Sequence, residues 1–203
     1  LHREDRKNVV VTPLGGTWGY LSRPLNVVVW SEAMRNRGRR GASDYEGTDF
    51  KQWANEHQNP IFDAKVVYGG IDCQLYDDPD RGAKKEKFLL WMNRWHPAKG
   101  YMQAIAVARE TGVEVVMAGE RPENELSDFQ RECSMGAMRE ARGMGNVHFE
   151  FLPGDPDHHT RKRELYRQAR ALLYTVQFHE PFGLSQVEAL ASYTPVIGTR
   201  MGA

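Results

Sequence analysis

Neither sign of charge predominates in these 203 residues: 27 Lys and Arg face 27 Asp and Glu. That balance argues against a dedicated nucleic-acid binder or a protein held on an anionic membrane, which normally carry a basic excess. No apolar run approaches the roughly 20 residues that a membrane span needs, and mean hydropathy is −0.63, so no transmembrane segment is expected. Cysteine is scarce. Cys73 and Cys133 lie far apart with no C-x-x-C spacing, which excludes a disulfide framework or structural zinc site and leaves two ordinary buried or half-buried thiols in a reducing, cytoplasmic setting. The chain starts on Leu1 with a charged stretch instead of an apolar core, so a signal peptide is not expected and the sequence reads as a piece of a longer protein. What is present is globular in character: 40% hydrophobic against 27% charged residues, enough for one sizeable α/β domain or one domain and part of another.

Hydrophobic periodicity alternates after about residue 85. Strands are expected at 87–92, 113–117, 147–151, 171–175 and 195–198. Helices are expected at 99–110 (apolar at Met102, Ile105, Ala106 and Ala108), 124–142, 160–169 and 183–192, with Gly112 suited to a C-cap and Ala118-Gly119 read as a turn. Strand alternating with helix at this spacing predicts a Rossmann-like parallel sheet with helices on both faces. Residues 1–76 show three short strand signals, at 8–12, 26–30 and 65–68, and a helix start at Ser31. They are expected to be the C-terminal part of a first, incomplete Rossmann-like domain. The charged, turn-rich 77–86 is read as a linker, and 87–203 as the second domain, truncated at its C-terminus.

Two strand-to-helix loops carry the chemistry. His179-Glu180-Pro181-Phe182-Gly183-Leu184-Ser185-Gln186-Val187-Glu188 follows the 171–175 strand, at the carboxyl edge where open α/β sheets bind ligands. Gly183 permits close approach of a ligand to the backbone, and the next N–H groups, at Leu184 and Ser185, open a helix and are free to bind an anion. Glu188 lies about five residues into that helix, roughly 7–8 Å along its axis. Asn93-Arg94-Trp95-His96-Pro97-Ala98-Lys99-Gly100 follows the 87–92 strand; Arg94 offers a planar fork for phosphate oxygens and Lys99 a point charge. Taken singly, Glu180 and Glu188 read equally as a turn residue and a helix-surface residue, and Arg94 and Lys99 as surface charges. It is their pairing on one sheet edge that points to a ligand with a diphosphate between two hydroxyl-bearing ends.

These segments resemble, in order, those of the retaining, nucleotide-sugar-dependent glycosyltransferases of family 4 (glycosyl transferases group 1), which have the two-domain GT-B architecture. The similarity runs from about residue 26 onward. It rests on Asn26–Ala33 (NVVVWSEA), Val66-Val67-Tyr68-Gly69-Gly70-Ile71-Asp72, Arg94-x4-Lys99-Gly100, Val116-Met117-Ala118-Gly119, Val147-His148-Phe149, Leu165-Tyr166-x-x-Ala169, Glu180-Pro181-Phe182-Gly183-Leu184 through Glu188-Ala189-Leu190-Ala191, and Pro195-Val196-Ile197. The resemblance implies that 87–203 is a donor-binding domain. It casts Arg94, Lys99 and Glu180 as catalytic, the two cations stabilising the leaving diphosphate and Glu180 contacting hydroxyls of the transferred sugar, without acting as a nucleophile. It casts Glu188 as the ribose ligand and the Gly183, Leu184 and Ser185 backbone as further donor contacts. It implies a nucleotide-sugar as substrate, no cofactor and no required metal, an acceptor that is a glycan, lipid or small molecule, a missing N-terminal domain or partner chain, and a cytoplasmic protein that is soluble or peripheral at a membrane. Three positions depart from the family: Asn93 and Tyr193 each stand where Gly is common, and Tyr68-Gly69 replaces Pro-Asn. A GT-B epimerase or phosphorylase, or a non-catalytic nucleotide-sugar-binding fragment, fits the same motifs.

Other features are read as structural: a turn at Pro13–Gly19, a solvated loop at Asp155, Asp157, His158 and His159, a structural strand residue at His148, and solvated or acceptor-facing clusters at Arg35–Arg40 and Arg161–Arg170.

Overall fold

The computed structural model describes residues 10–11, 26–29, 32, 65–80, 85–121, 128–152, 158–178, 180 and 182–200. The Pro13–Gly19 turn, the Arg35–Arg40 cluster, Asp155, Asp157, His179 and Pro181 lie outside these, as do most of the helix expected from Ser31 and the first residues of the one expected from Asn124. The chain divides into two compact units, residues 1–70 with 178–183 and 202–203, and residues 71–177 with 184–201.

In the first unit, β1 (Val10–Val11), β2 (Asn26–Val29) and β3 (Lys65–Val66) form a parallel sheet in that order. Val10 stands opposite Asn26, and Val28 opposite Lys65. Phe182 packs close to Gly69, where an added Cβ would stand 3.0 Å from its ring.

The second unit opens with α1 (Cys73–Tyr76), capped by the Asp72 carboxylate accepting from the Gln74 and Leu75 N–H groups. Its five parallel strands are β4 (Leu89–Met92), β5 (Val115–Gly119), β6 (Val147–Phe151), β7 (Ala171–Tyr174) and β8 (Val196–Gly198), in the order β6-β5-β4-β7-β8. Central β4 and β7 are buried along their whole length, as unbroken apolar runs covered on both faces require. Between the strands run α2 (Tyr101–Thr111), α3 (Asp128–Ala141), α4 (His158–Gln168) and α5 (Leu184–Ala191). The α/β, Rossmann-like expectation therefore holds.

Alternation along the strands sorts the core into two layers. Leu89, Trp91, Val115, Met117, Val147, Ala171 and Leu173 pack with Tyr101, Ala104, Ile105 and Ala108 of α2 and Ala137, Met138 and Ala141 of α3. Leu90 and Leu172 point the other way and are as fully buried, on the side where α4 and α5 pack together.

Element ends differ from the periodicity in instructive ways. The α2 stripe is Tyr101, Ala104, Ile105 and Ala108, with Met102 exposed, because Pro97–Lys99 form a separate 3-10 turn and Gly100 at φ 75° resets the chain before the helix starts. β5 begins at Val115, two residues later than the apolar pattern, since the backbone of Val113 is occupied by the loop: its N–H donates to Thr111 Oγ1 and its carbonyl accepts from Asn146 Nδ2. Ala118 and Gly119 extend the strand, paired with Glu150 and Phe151. Cys73, expected to be at least half-buried, is exposed at the first position of α1. Among the described residues no helix is long and apolar enough to cross a membrane.

Candidate active site

The strand order reverses between β4 and β7, the point at which an open parallel sheet leaves a crevice beyond its carboxyl ends. Both loops singled out in the sequence leave the sheet there.

The loop after β4 is fastened at every turn. Asn93 N–H donates to the Ala118 carbonyl, and Gly119 is glycine of necessity, as a Cβ there would stand 2.1 Å from the Asn93 carbonyl oxygen. Trp95 is 1% exposed and stacks against Trp91 (5.1 Å between ring centroids), Tyr101 and Phe149. Its carbonyl accepts from Ser134 Oγ at 2.8 Å. Trp91 Nε1 donates to the Lys99 carbonyl at 3.2 Å, and His96 Nδ1 accepts from the Ala98 N–H at 3.1 Å, which caps the 3-10 turn. Since Nδ1 accepts, the proton sits on Nε2, and the Gln130 side-chain amide 2.7 Å away must turn its oxygen toward the ring. The end of β7 closes the arrangement: Thr175 Oγ1 donates to the Gly100 carbonyl at 2.7 Å and Gln177 N–H to the Ala98 carbonyl at 2.8 Å. On this rigid loop Arg94 is exposed and Lys99 half-buried. Among the described residues, the Nδ2 of Asn93 and Nε1 of Trp95 are buried without a hydrogen-bond partner.

The second element is α5. Gly183, immediately before it, has φ 79°, a left-handed conformation costly for residues with a Cβ. Ser185 Oγ donates to the Met92 carbonyl at 3.1 Å, which sets the first turn of α5 at the carboxyl end of β4, one residue short of Asn93-Arg94. Arg94, Lys99, Leu184 and Ser185 therefore share one edge of the second unit. The helix end adds unpaired N–H groups and the positive end of the helix dipole. Glu180 and Gly183 are counted in the first unit, and Glu180 is half-buried.

Glu188 has an environment the sequence did not announce. It is 6% exposed, and three donors converge on its carboxylate: Tyr76 OH on Oε1 at 2.8 Å, Lys162 Nζ on the same oxygen at 2.7 Å, and Tyr166 OH on Oε2 at 3.0 Å. Burial first, then the Glu188 carboxylate, pushes both phenols above the usual tyrosine range, so they remain donors at any physiological pH. Lys162 and Tyr166 are one turn apart on α4, a spacing that places both on one face and was the available signal. Neither partner on α1 nor the match to α5 follows from local pattern. The other basic residues of α4 are engaged as well. Arg161 pairs with Glu150 at 3.0 Å and Glu164 at 3.1 Å, and those hydrogen bonds raise its pKa further. Arg167 donates to the Asp77 carbonyl. The 161–167 cluster is thus built into the fold and is not a free basic surface. His148 is exposed and lies 3.4 Å from Glu114, and no three His, Cys, Asp or Glu residues gather at metal-binding distance among the described residues.

A five-stranded parallel sheet flanked by helices, with its strand order reversing at β4 and β7, matches the GT-B glycosyltransferase fold in comparison with solved structures. AviGT4, a glycosyltransferase involved in avilamycin A biosynthesis, superimposes with a TM-score of 0.60 at 25% identity over 91% of this chain and 48% of that one. Anabaena HepE in complex with UDP-glucose matches with a TM-score of 0.62 at 19% identity, over 89% of this chain and 46% of that one. The family model "Glycosyl transferases group 1" matches residues 77–203, and the chain belongs to that family. D-inositol 3-phosphate glycosyltransferase of Mycobacterium bovis is 30% identical over 147 residues, 68% of this chain; the chain spans 29% of that relative's length.

Proposed function

We propose that this chain carries the donor-binding part of a retaining glycosyltransferase that moves a sugar from a nucleotide diphosphate to a glycan, lipid or small-molecule acceptor in the cytoplasm. In this reading Arg94, Lys99 and the first N–H groups of α5 hold the diphosphate. As the bond between the anomeric carbon and the phosphate oxygen breaks, the electron pair leaves with the diphosphate, and fixed positive charge at this edge stabilises it as it grows. Glu180 contacts hydroxyls of the transferred sugar and supports the oxocarbenium-like charge; Glu188 takes the ribose. The acceptor oxygen bonds to the same face of the anomeric carbon and gives up its proton to the departing phosphate. Two cations and a helix N-terminus supply the charge that a metal would otherwise bring, so metal is dispensable on this account.

The observation that carries the proposal is the 3.1 Å hydrogen bond from Ser185 Oγ to the Met92 carbonyl, which brings the N-terminal end of α5 beside the Arg94–Lys99 loop. The family membership and the UDP-glucose named for the Anabaena relative support a nucleotide-sugar donor. Thermal unfolding in the presence of UDP, GDP and ADP tests it. At a hundredfold excess over Kd the preferred nucleotide should add about 2.7 kcal/mol, a rise of roughly 5–10 °C for a chain of this size, and Lys99→Ala should remove most of that rise. No shift with any of the three would refute the assignment.

A further inference from the structure

The two cations of the loop after β4 are tied to each other through one residue. His96 N–H donates to the Arg94 carbonyl at 2.9 Å, and Lys99 N–H donates to the His96 carbonyl at 2.8 Å. The ring of the same residue makes two further contacts. Its Nδ1 accepts from the Ala98 N–H at 3.1 Å and caps the 3-10 turn that ends on Lys99. Its Nε2 lies 2.7 Å from the Gln130 side chain, in the first turn of α3. One turn further along α3, Ser134 Oγ donates to the Trp95 carbonyl. Gln130 and Ser134 share a helix face, so α3 holds the loop at two successive residues. Of the two, His96 is the one that passes this hold on to the turn carrying Lys99.

Resting on the donor-binding reading above, we propose that His96 is a positioning residue for the diphosphate site: its neutral ring, braced by Gln130, caps the Pro97–Lys99 turn and so keeps Lys99 in register with Arg94. A serine cap works at any pH. An imidazole makes the same hydrogen bond subject to titration, because only an unprotonated Nδ1 can accept. The capping contribution is complete above the range in which imidazoles ordinarily take up a proton, about pH 6–7. It is lost as pH falls through that range, since a proton on Nδ1 sets two donors face to face. Among the described residues, the charged groups beside the ring are Arg94 and Lys99 on the loop and, on either side of Gln130, Asp128 and Arg131, which pair with each other. On charge alone, an imidazolium between Arg94 and Lys99 would strengthen anion binding. Cap and charge therefore predict opposite pH trends.

Calorimetry on the 203-residue chain, with whichever of UDP, GDP and ADP it binds most tightly, tests the proposal. At about pH 8, where the ring is neutral, His96→Ala should weaken binding about fivefold, the worth of a lost cap. His96→Ser, which restores a cap, should recover binding to within about twofold of the wild type. Gln130→Leu should cost about threefold in the wild type and nothing in the His96→Ser background, where no ring is left to brace. The ratio of wild-type to His96→Ser affinity cancels the titration of the nucleotide itself. That ratio should fall about threefold between about pH 8 and about pH 5.5. A ratio that rises on acidification makes the ring a charge and not a cap, and overturns the proposal. A flat ratio, a His96→Ser variant as weak as His96→Ala, or a Gln130→Leu cost equal in both backgrounds overturns it as well. If the wild-type chain binds none of the three nucleotides, the donor-binding reading falls and this role falls with it; if it binds and only the variants depart from the pattern, the role of His96 alone is wrong.

Discussion

Gly100→Ala tests how the Arg94–Lys99 loop is held in place. Gly100 has φ 75°, and a Cβ added there would stand 1.8 Å from the Thr175 carbonyl oxygen and 2.9 Å from Thr175 Oγ1. Two costs follow. The left-handed conformation costs an alanine about 1–2 kcal/mol. The overlap is with backbone, which has no alternative rotamer, so β7 and the loop must separate; that adds an overpacking cost of about 1–3 kcal/mol and strains the Thr175 Oγ1 hydrogen bond to the Gly100 carbonyl. The expected loss is about 2–5 kcal/mol in total. Gly112→Ala is the internal control. Gly112 also has positive φ, 68°, but nothing lies within 4 Å of its added Cβ, so only the conformational cost of about 1–2 kcal/mol applies. Urea unfolding of the two variants beside the wild type separates the terms, and the Gly100 variant should also bind the nucleotide more weakly. If both substitutions cost the same, the close approach of β7 to the loop is wrong, and with it the rigid platform for Arg94 and Lys99.

Tyr193 is the only non-glycine described residue with positive φ, 54°, and it is 42% exposed; Tyr193→Gly should therefore raise stability by about 0.5–1 kcal/mol in urea unfolding, relief of left-handed strain outweighing the entropy of glycine. Tyr166 has a folded pKa raised above its ordinary 10.0. Its stabilising share is complete below pH 10 and is lost as pH climbs from there toward the folded value, because the unfolded phenol releases its proton first. Melting temperatures of Tyr166→Phe should accordingly decline less steeply above pH 10 than those of the wild type, and an identical slope would remove the buried phenol from the account.

Runs that tertiary burial makes continuous, such as Leu89–Met92 and Ala171–Tyr174, stand out in the sequence because both faces of a central parallel strand are apolar. Element ends are less legible, since they are decided by single hydrogen bonds: Thr111 Oγ1 and Asn146 Nδ2 hold Val113 out of β5, and a 3-10 turn delays α2. Family glycines were informative even where replaced, for Tyr193 adopts the backbone conformation that glycine would have had. The loop motifs located Arg94, Lys99, Ser185 and Glu188 on the chain, whereas the company Glu188 keeps was invisible. Tyr76, Lys162 and Tyr166 lie 112, 26 and 22 residues from it, and no local pattern encodes a contact across such separations. Basic residues of α4 read as a solvated face for the same reason; their partners, Glu150, Glu188 and the Asp77 carbonyl, come from other elements.

Backbone amide shifts measured during titration with the preferred nucleoside diphosphate address the central claim most directly. The account predicts that the amides of residues 94–96 and 98–100 and of Leu184, Ser185 and Gln186 move together, with one Kd, and that Lys99→Ala abolishes both sets of shifts. Movement of one set without the other, or shifts centred on the far edge of the sheet at β6, would contradict it.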